Sequence, residues 1–202
     1  MSQSATTPRH DAGGRNKWPL LPGVTGGAEF AGKGDTHRLL LWRDWTPGAV
    51  PTPDGLRDFN GAALWIGMNP STAEGDIDDL TVRKEQTWTR MLRLTRYVKM
   101  NVSSYRATDP RALVDAAAAG MTRYPGMMGI LRSCAEGAGI IIVATGRVPD
   151  CIEADARAVF DLLRLPSLLP KVRCLGLTKA GWPKHSSRIG YDVPIRAWDA
   201  VL

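Results

Sequence analysis

The 202-residue chain has apolar and charged fractions of 44% and 23%, which suit a globular protein of one domain. No apolar run approaches the roughly 20 residues that span a bilayer, and residues 1–17 lack the apolar core of a secretory signal, so we expect no membrane partner. The net charge of +6 favours partners that carry phosphate.

The first part of the chain differs in composition from the rest. Residues 1–35 are rich in Gly, Ser, Thr and Pro and lack periodicity, which predicts a flexible N-terminal arm. Residues 36–202 predict a single α/β catalytic domain. Its first strand is predicted at 37–45, and the Pro- and Gly-rich segment 46–60 is predicted as a loop.

From residue 62 onward, short apolar runs alternate with helical patterns. The apolar runs predict four strands, at 62–67, 97–102, 139–144 and 171–177. The helical periodicity predicts four helices, at 79–96, 110–120, 124–136 and 150–165. This order predicts an α/β protein, specifically a three-layer α/β/α sandwich with a central parallel sheet.

Ligands of open parallel sheets bind outside the carboxyl ends of the strands, which selects four loops. They begin at Met68, Asn101, Thr145 and Thr178. The signatures of P-loop enzymes, Rossmann enzymes and α/β-hydrolases are absent from the sequence.

The first of these loops contains Asn69, whose amide suits the orientation of a water molecule or a base edge. The alternative is a turn in which Asn69 bonds its own backbone. Gly67 allows a ligand to approach the backbone closely. We expect substrate contacts from the residues around Asn69, which are Gly67, Met68, Pro70, Ser71 and Thr72.

An acidic run follows, comprising Glu74, Asp76, Asp78 and Asp79. It could bind Mg²⁺, or it could be a solvated loop in which Asp78 or Asp79 caps the next helix. We take Asp79 as a candidate catalytic base and expect no resident metal and no cofactor.

The later loops supply further candidates. Asn101 could pair with a pyrimidine edge or bridge two loops, and Gly146 follows the third strand of the sheet. His185 could act as an electrophile or general acid, or could be an ordinary surface histidine. Trp182 could stack on a base or pack locally.

Basic residues concentrate near the carboxyl terminus. No acidic residue occurs from Leu162 to Tyr191, whereas Arg164, Lys171, Arg173, Lys179, Lys184 and Arg188 all do. This block predicts a phosphate-facing surface, the alternative being a solvated face balanced by acids elsewhere. The candidate phosphate-binding residues are Arg83, Lys179, Lys184, Ser186, Ser187 and Arg188.

The cysteines bear on the cellular compartment. Cys134, Cys151 and Cys174 are odd in number and form no CxxC pair. Reduced thiols in a cytoplasmic protein are the simplest interpretation. We also expect a monomer.

Several segments together resemble a family known as domain of unknown function 1643. They are HRLLLW (37–42), GMNPSTA (67–73), DLTVR (79–83), Asn101, RATDP (106–110), Gly146 and LGLTKAGWPKH (175–185). The resemblance covers roughly residues 37–198.

More distantly, the order of the loops is similar to the uracil-DNA glycosylase superfamily. Asn69 matches a Gly-x-Asn-Pro motif whose Asn positions the attacking water, and Asn101 matches the Asn that reads uracil. Residues 184–187 match the motif that contacts the base carbonyl and the DNA backbone. This resemblance implies a uracil-DNA-glycosylase-like fold.

The leading hypothesis is an enzyme that acts on a flipped uracil- or thymine-type base in DNA. The reaction is either cleavage of the N-glycosidic bond or phage-type group transfer in thymine hypermodification. The alternatives are a non-catalytic nucleotide or nucleic-acid binding protein and an enzyme that acts on a free nucleotide. A small group donor is a further candidate partner.

Overall fold

The computed structural model describes residues 17–46, 60–71 and 73–202. The strands are β1 (Trp18–Pro19), β2 (Thr25–Ala31), β3 (His37–Asp44), β4 (Ala63–Gly67), β5 (Ile77–Asp78), β6 (Arg96–Asn101), β7 (Ile140–Val143), β8 (Val172–Cys174) and β9 (Arg196–Ala197). The α-helices in these residues are α1 (Leu80–Met91), α2 (Pro110–Ala118), α3 (Met127–Gly137) and α4 (Glu153–Leu163). Short 3₁₀ turns lie at Asp150–Ile152, Leu169–Lys171 and Ser186–Arg188.

A mixed sheet of seven strands occupies the centre of the described chain, in the order β2-β3-β6-β4-β7-β8-β9. The four strands β6, β4, β7 and β8 are parallel, as the sequence predicted. Antiparallel strands extend this parallel centre at both edges, β3 and β2 on one side and β9 on the other. The sheet is therefore mixed, not parallel throughout.

Side-chain alternation along the strands divides the core into two clusters, one on each face of the sheet. Leu64 and Ile66 of β4 pack in the cluster that contains buried side chains of α2, α3 and α4. Ala63 and Trp65 pack on the opposite face, in the cluster that contains Val82 and Trp88 of α1. Helix α1 is therefore on one face of the sheet and the other three helices are on the other.

The segment predicted as a flexible arm contains two strands in its described part. Residues 25–31 form β2, which pairs with β3. The glycines that suggested flexibility are required by close packing: a Cβ on Gly26 would lie 2.8 Å from the Arg43 side chain, and one on Gly27 would lie 2.7 Å from the Trp42 indole. Residues 1–16 and most of the predicted loop 46–60 lie outside the described residues.

Element ends also differ from the predictions. Helix α1 ends at Met91 instead of residue 96, because Arg93 has a φ of +60° and the chain then enters β6. Strand β8 covers only Val172–Cys174 of the predicted 171–177. Helix α2 starts as predicted, with Asp109 accepting the Arg111 N–H at 2.9 Å and proline in the first turn. No helix within the described residues is long and apolar enough to cross a bilayer.

Candidate functional site

A cavity of about 270 Å³ lies where β4 and β6 end, against the first turn of α1. Its volume is just below the usual range of ligand pockets, which is roughly 300–1,000 Å³. The lining includes seven of the predicted site residues, namely Gly67, Met68, Asn69, Ser71, Asp79, Asn101 and His185. The cavity is also lined by Arg38 and Lys99, for which the sequence had indicated no role.

Strand register brings Gly67 and Asn101 together. The two residues are aligned partners at the ends of the parallel strands β4 and β6. A Cβ on Gly67 would lie 2.7 Å from Asn101 Oδ1 and 2.9 Å from Lys99 Nζ. Glycine at 67 therefore leaves the space that these two polar side chains occupy.

Asn101 has an incomplete set of hydrogen bonds. The residue is buried, with 2% of its surface exposed, yet Nδ2 has no hydrogen-bond partner among the described residues. A buried donor without a partner costs roughly 1–3 kcal/mol of stability. Since Asn101 lines the cavity, this amide is available to a ligand acceptor.

Lys99 also lines the cavity, and its ammonium group forms a buried ion pair. Its ammonium donates to Glu85 Oε1 at 2.7 Å and to Oε2 at 2.9 Å. Glu85 also accepts hydrogen bonds from the hydroxyls of Tyr97 and Ser186, each at 2.8 Å. Because Lys99 precedes Asn101 by two residues on β6, alternation places both side chains on one face, and this spacing could have identified Lys99.

Arg38 enters the cavity through an irregularity in β3. Leu40 pairs with Glu29 but Arg38 pairs with Phe30, so Leu39 is an extra residue. Such a bulge turns the preceding side chain to the other face of the strand. Arg38 donates to Ala73 O at 2.8 Å, while its Nε has no partner among the described residues. Burial lowers the Arg38 pKa to about 10, so the guanidinium is charged at neutral pH.

The side-chain nitrogen of Asn69 is bonded to backbone carbonyl groups of the loops around it. Nδ2 donates to the carbonyl oxygens of Ala107 and Pro70, the latter at 3.2 Å. One acceptor belongs to the next residue and the other lies 38 residues further along the chain, so the amide nitrogen connects two segments of the site. The acceptor Oδ1 is at the other end of the amide, which leaves it for a water molecule or a substrate hydroxyl.

Asp79 both caps helix α1 and lines the cavity. Its Oδ1 caps α1 by accepting the Val82 N–H at 2.8 Å, and the residue also lines the cavity. Among the other acids of this run, Asp78 is ion-paired with Arg43 at 2.8 Å and Glu74 with Arg106 at 3.1 Å. Within the described residues, no group of three or more His, Cys, Asp or Glu forms a potential metal site.

The ring of His185 is oriented by the residues that follow it. Nδ1 accepts the Ser187 backbone N–H at 3.2 Å and is 2.7 Å from the Ser187 hydroxyl. An accepting Nδ1 places the proton of the neutral ring on Nε2. Burial, together with the positive charges of Lys99 and Arg188, lowers the pKa of His185 below 6.5. The imidazole is therefore neutral at pH 7 and can donate through Nε2–H.

Other predicted substrate contacts lie outside the lining. Trp182 is buried in the core, 6.1 Å from Phe160 between ring centroids, so local packing replaces the predicted base stacking. Gly146 packs against His185, since a Cβ on Gly146 would lie 3.4 Å from His185 Cβ. Pro70 accepts hydrogen bonds from Asn69 and Ala107. Thr72 lies outside the described residues.

The predicted phosphate contacts fall into two groups. Ser186 is fully buried against Glu85, Ser187 contacts His185, and Arg83 is paired with Asp78 at 2.9 Å. Burial of its hydroxyl excludes Ser186 from phosphate binding in this conformation. The exposed members of the set are Lys179, Lys184 and Arg188.

The basic block does not form one face. Arg164, Lys171 and Arg173 lie before or within β8, whereas Lys179, Lys184 and Arg188 follow it. Only the second group follows the carboxyl end of β8, and the cavity lies at the carboxyl ends of the neighbouring parallel strands β4 and β6.

Comparison with known proteins identifies one family. A model described as "Protein of unknown function (DUF1643)" matches residues 38–186. The matched range runs from Arg38 to just beyond His185 and so contains the whole described lining of the cavity. No curated protein and no solved structure matches the chain.

Proposed function

The chain belongs to the DUF1643 family of proteins of unknown function, and for this member we propose an enzyme that acts on a uracil- or thymine-type base flipped out of DNA. The unpartnered Nδ2 of Asn101, buried at the cavity, carries the proposal. A base must leave the stack before such a buried group can reach it. The distant resemblance to uracil-DNA glycosylases agrees with this assignment.

The polar groups of the cavity complement a uracil-type base. Such a base presents two carbonyl oxygens with an N–H between them. The amide of Asn101 offers a donor for a carbonyl and an acceptor for the N–H. The Nε2–H of His185 and the ammonium of Lys99 add donors, which favour negative charge on the base oxygens.

In the cleavage reaction, water bonds to the sugar carbon C1′ as the C1′–N1 bond breaks. The base departs with the electron pair, and its oxygens receive hydrogen bonds from His185 and Asn101. Asn69 orients the water through Oδ1, and Asp79 takes the proton that the water loses. In group transfer, the same contacts hold an activated ester of 5-hydroxymethyluracil. A nucleophilic donor bonds to the 5-methylene carbon as the C–O bond to the ester group breaks; the ester group leaves with the electron pair, and Asp79 takes the donor's proton.

A second candidate is an enzyme that acts on a free nucleotide. The buried guanidinium of Arg38, with its unpartnered Nε, borders the same cavity. Arginine pairs well with phosphate oxygens, so this group suits the phosphate of a mononucleotide. Activity that does not depend on DNA chain length would support this candidate over the first.

The test is mass spectrometry of nucleosides after incubation with DNA that contains uracil, 5-hydroxymethyluracil or its activated esters. We expect base loss or base change with the wild type, and a fall in rate on the order of 10²-fold or more with His185→Ala.

Asn69→Ala should lower turnover more than affinity, because placement of a nucleophile matters chiefly in the transition state. Asn101→Asp should alter the choice of base, because it removes the amide donor.

A control is Ser167→Ala, since Ser167 is an exposed polar residue before the amino end of β8, at the opposite edge of the sheet from the cavity. It should behave as the wild type. No base loss or base change with the wild type, together with reduced DNA affinity in the Asn69 and His185 variants, would instead identify a non-catalytic binding protein.

A further inference from the structure

A second, open hollow of about 480 Å³ lies beside α1 and is here called the aromatic groove. The residues of it that matter below are Trp18, Leu21, Leu80, Arg83, Lys84 and Tyr191. Leu80, Tyr191 and Leu21 are unusually exposed for large apolar residues, at 53%, 41% and 37%. Exposed apolar groups gathered in one place mark a binding surface.

Cations accompany the two aromatic rings. The Lys84 ammonium is 5.6 Å from the centroid of the Tyr191 ring, and the Arg83 guanidinium is 5.9 Å from that of Trp18. None of the described residues that line the groove is acidic. Asp78, the carboxylate paired with Arg83, is also paired with Arg43, so this group of three charges remains positive.

The groove shares a wall with the cavity. Leu80, which lines the groove, is adjacent to Asp79 and Thr81, which line the cavity. On the other side, Ser187 lines the groove and contacts the His185 ring at 2.7 Å. A strand that places one nucleotide in the cavity would therefore place its neighbour over the groove.

We propose that the aromatic groove binds an unpaired base of the same DNA strand, next to the base held in the cavity. Aromatic faces with cations nearby are the usual platform for single-stranded nucleic acid, because every base has a face that can stack. This inference rests on the proposed function and names the part of the substrate that the cavity does not contact.

The test is fluorescence anisotropy with a labelled single-stranded oligothymidylate at fixed salt. Tyr191→Ala and Trp18→Ala should each weaken binding roughly 5-fold or more, because each removes a stacking surface. Tyr191→Phe should restore affinity because it keeps the ring. Met91→Ala is the control, since Met91 is an exposed apolar residue at the other end of α1, away from the groove.

Wild-type affinity in both Tyr191→Ala and Trp18→Ala, or no binding of the oligonucleotide by the wild type, would overturn the proposal. Equal loss in Met91→Ala would do so as well. The result is separable from the proposed function: unimpaired chemistry in the Asn69 and His185 variants would refute the cavity's catalytic role while leaving the groove's affinity measurement intact.

Discussion

At the residue scale, Gly67 sets the width of the cavity. Gly67→Ala should place a Cβ within 3 Å of both Asn101 and Lys99. Strand pairing fixes the position of Asn101, and the ion pair with Glu85 fixes that of Lys99. We expect a loss of about 1–3 kcal/mol in the free energy of unfolding, measured by urea denaturation, and loss of turnover. Gly129→Ala is the matched control, because its Cβ in α3 meets nothing within 4 Å.

Helical alanine costs less backbone entropy than glycine, so Gly129→Ala should be neutral or slightly stabilising. If Gly67→Ala equalled Gly129→Ala in stability and activity, the close approach at Gly67 would have no functional importance.

His185 should contribute a pH dependence to stability. Its pKa in the folded protein is lowered, mainly by burial, from the ordinary value of 6.5. As the pH falls below about 6.5, the unfolded chain therefore binds a proton that the folded chain resists, and the free energy of unfolding decreases until the folded pKa is reached. His185→Gln should reduce this slope in urea denaturation at pH 7 and at successively lower pH. An unchanged slope would show that His185 is not the titrating group.

At the element scale, Asp79 has separable roles in the start of α1 and in the cavity. Asp79→Ala removes the bond to the Val82 N–H and should cost about 1 kcal/mol of stability. Asp79→Asn keeps a good capping residue but removes the charge, so thermal denaturation should show little loss. Both variants should lose activity, by about 10²-fold or more, if the carboxylate accepts a proton. Full activity in Asp79→Asn would exclude that role.

At the scale of the whole molecule, the positive charge should appear in the salt dependence of DNA binding. For duplex DNA, log K falls with log salt by roughly 0.9 per phosphate contact. Lys184→Ala should reduce that slope by about 1 because Lys184 is exposed on the side of β8 nearest the cavity. Lys171→Ala, at the opposite end of β8, should leave the slope unchanged. A flat titration of the wild type would remove the electrostatic case for DNA.

The sequence by itself determined the parallel centre of the sheet. It also identified three of the loops that line the cavity, those that contain Asn69, Asn101 and His185. Short apolar runs such as 63–67 and 140–143 are local patterns, and the polar residues that follow them can be identified without knowing the pairing. For the same reason, Asn69, Asn101 and His185 could be placed near one cavity, because parallel strands have their carboxyl ends at one edge.

Only the tertiary structure decided which side chains complete the cavity. Arg38 lines it because of a bulge in β3, and Lys99 is held by Glu85, a residue of another element. Trp182 packs near Phe160 in the core. Gly26 and Gly27 approach the side chains of Arg43 and Trp42 closely, in a strand that the composition had predicted as a flexible arm. Each of these outcomes depends on contacts between residues distant in the chain, whereas periodicity and composition report only on neighbours along it.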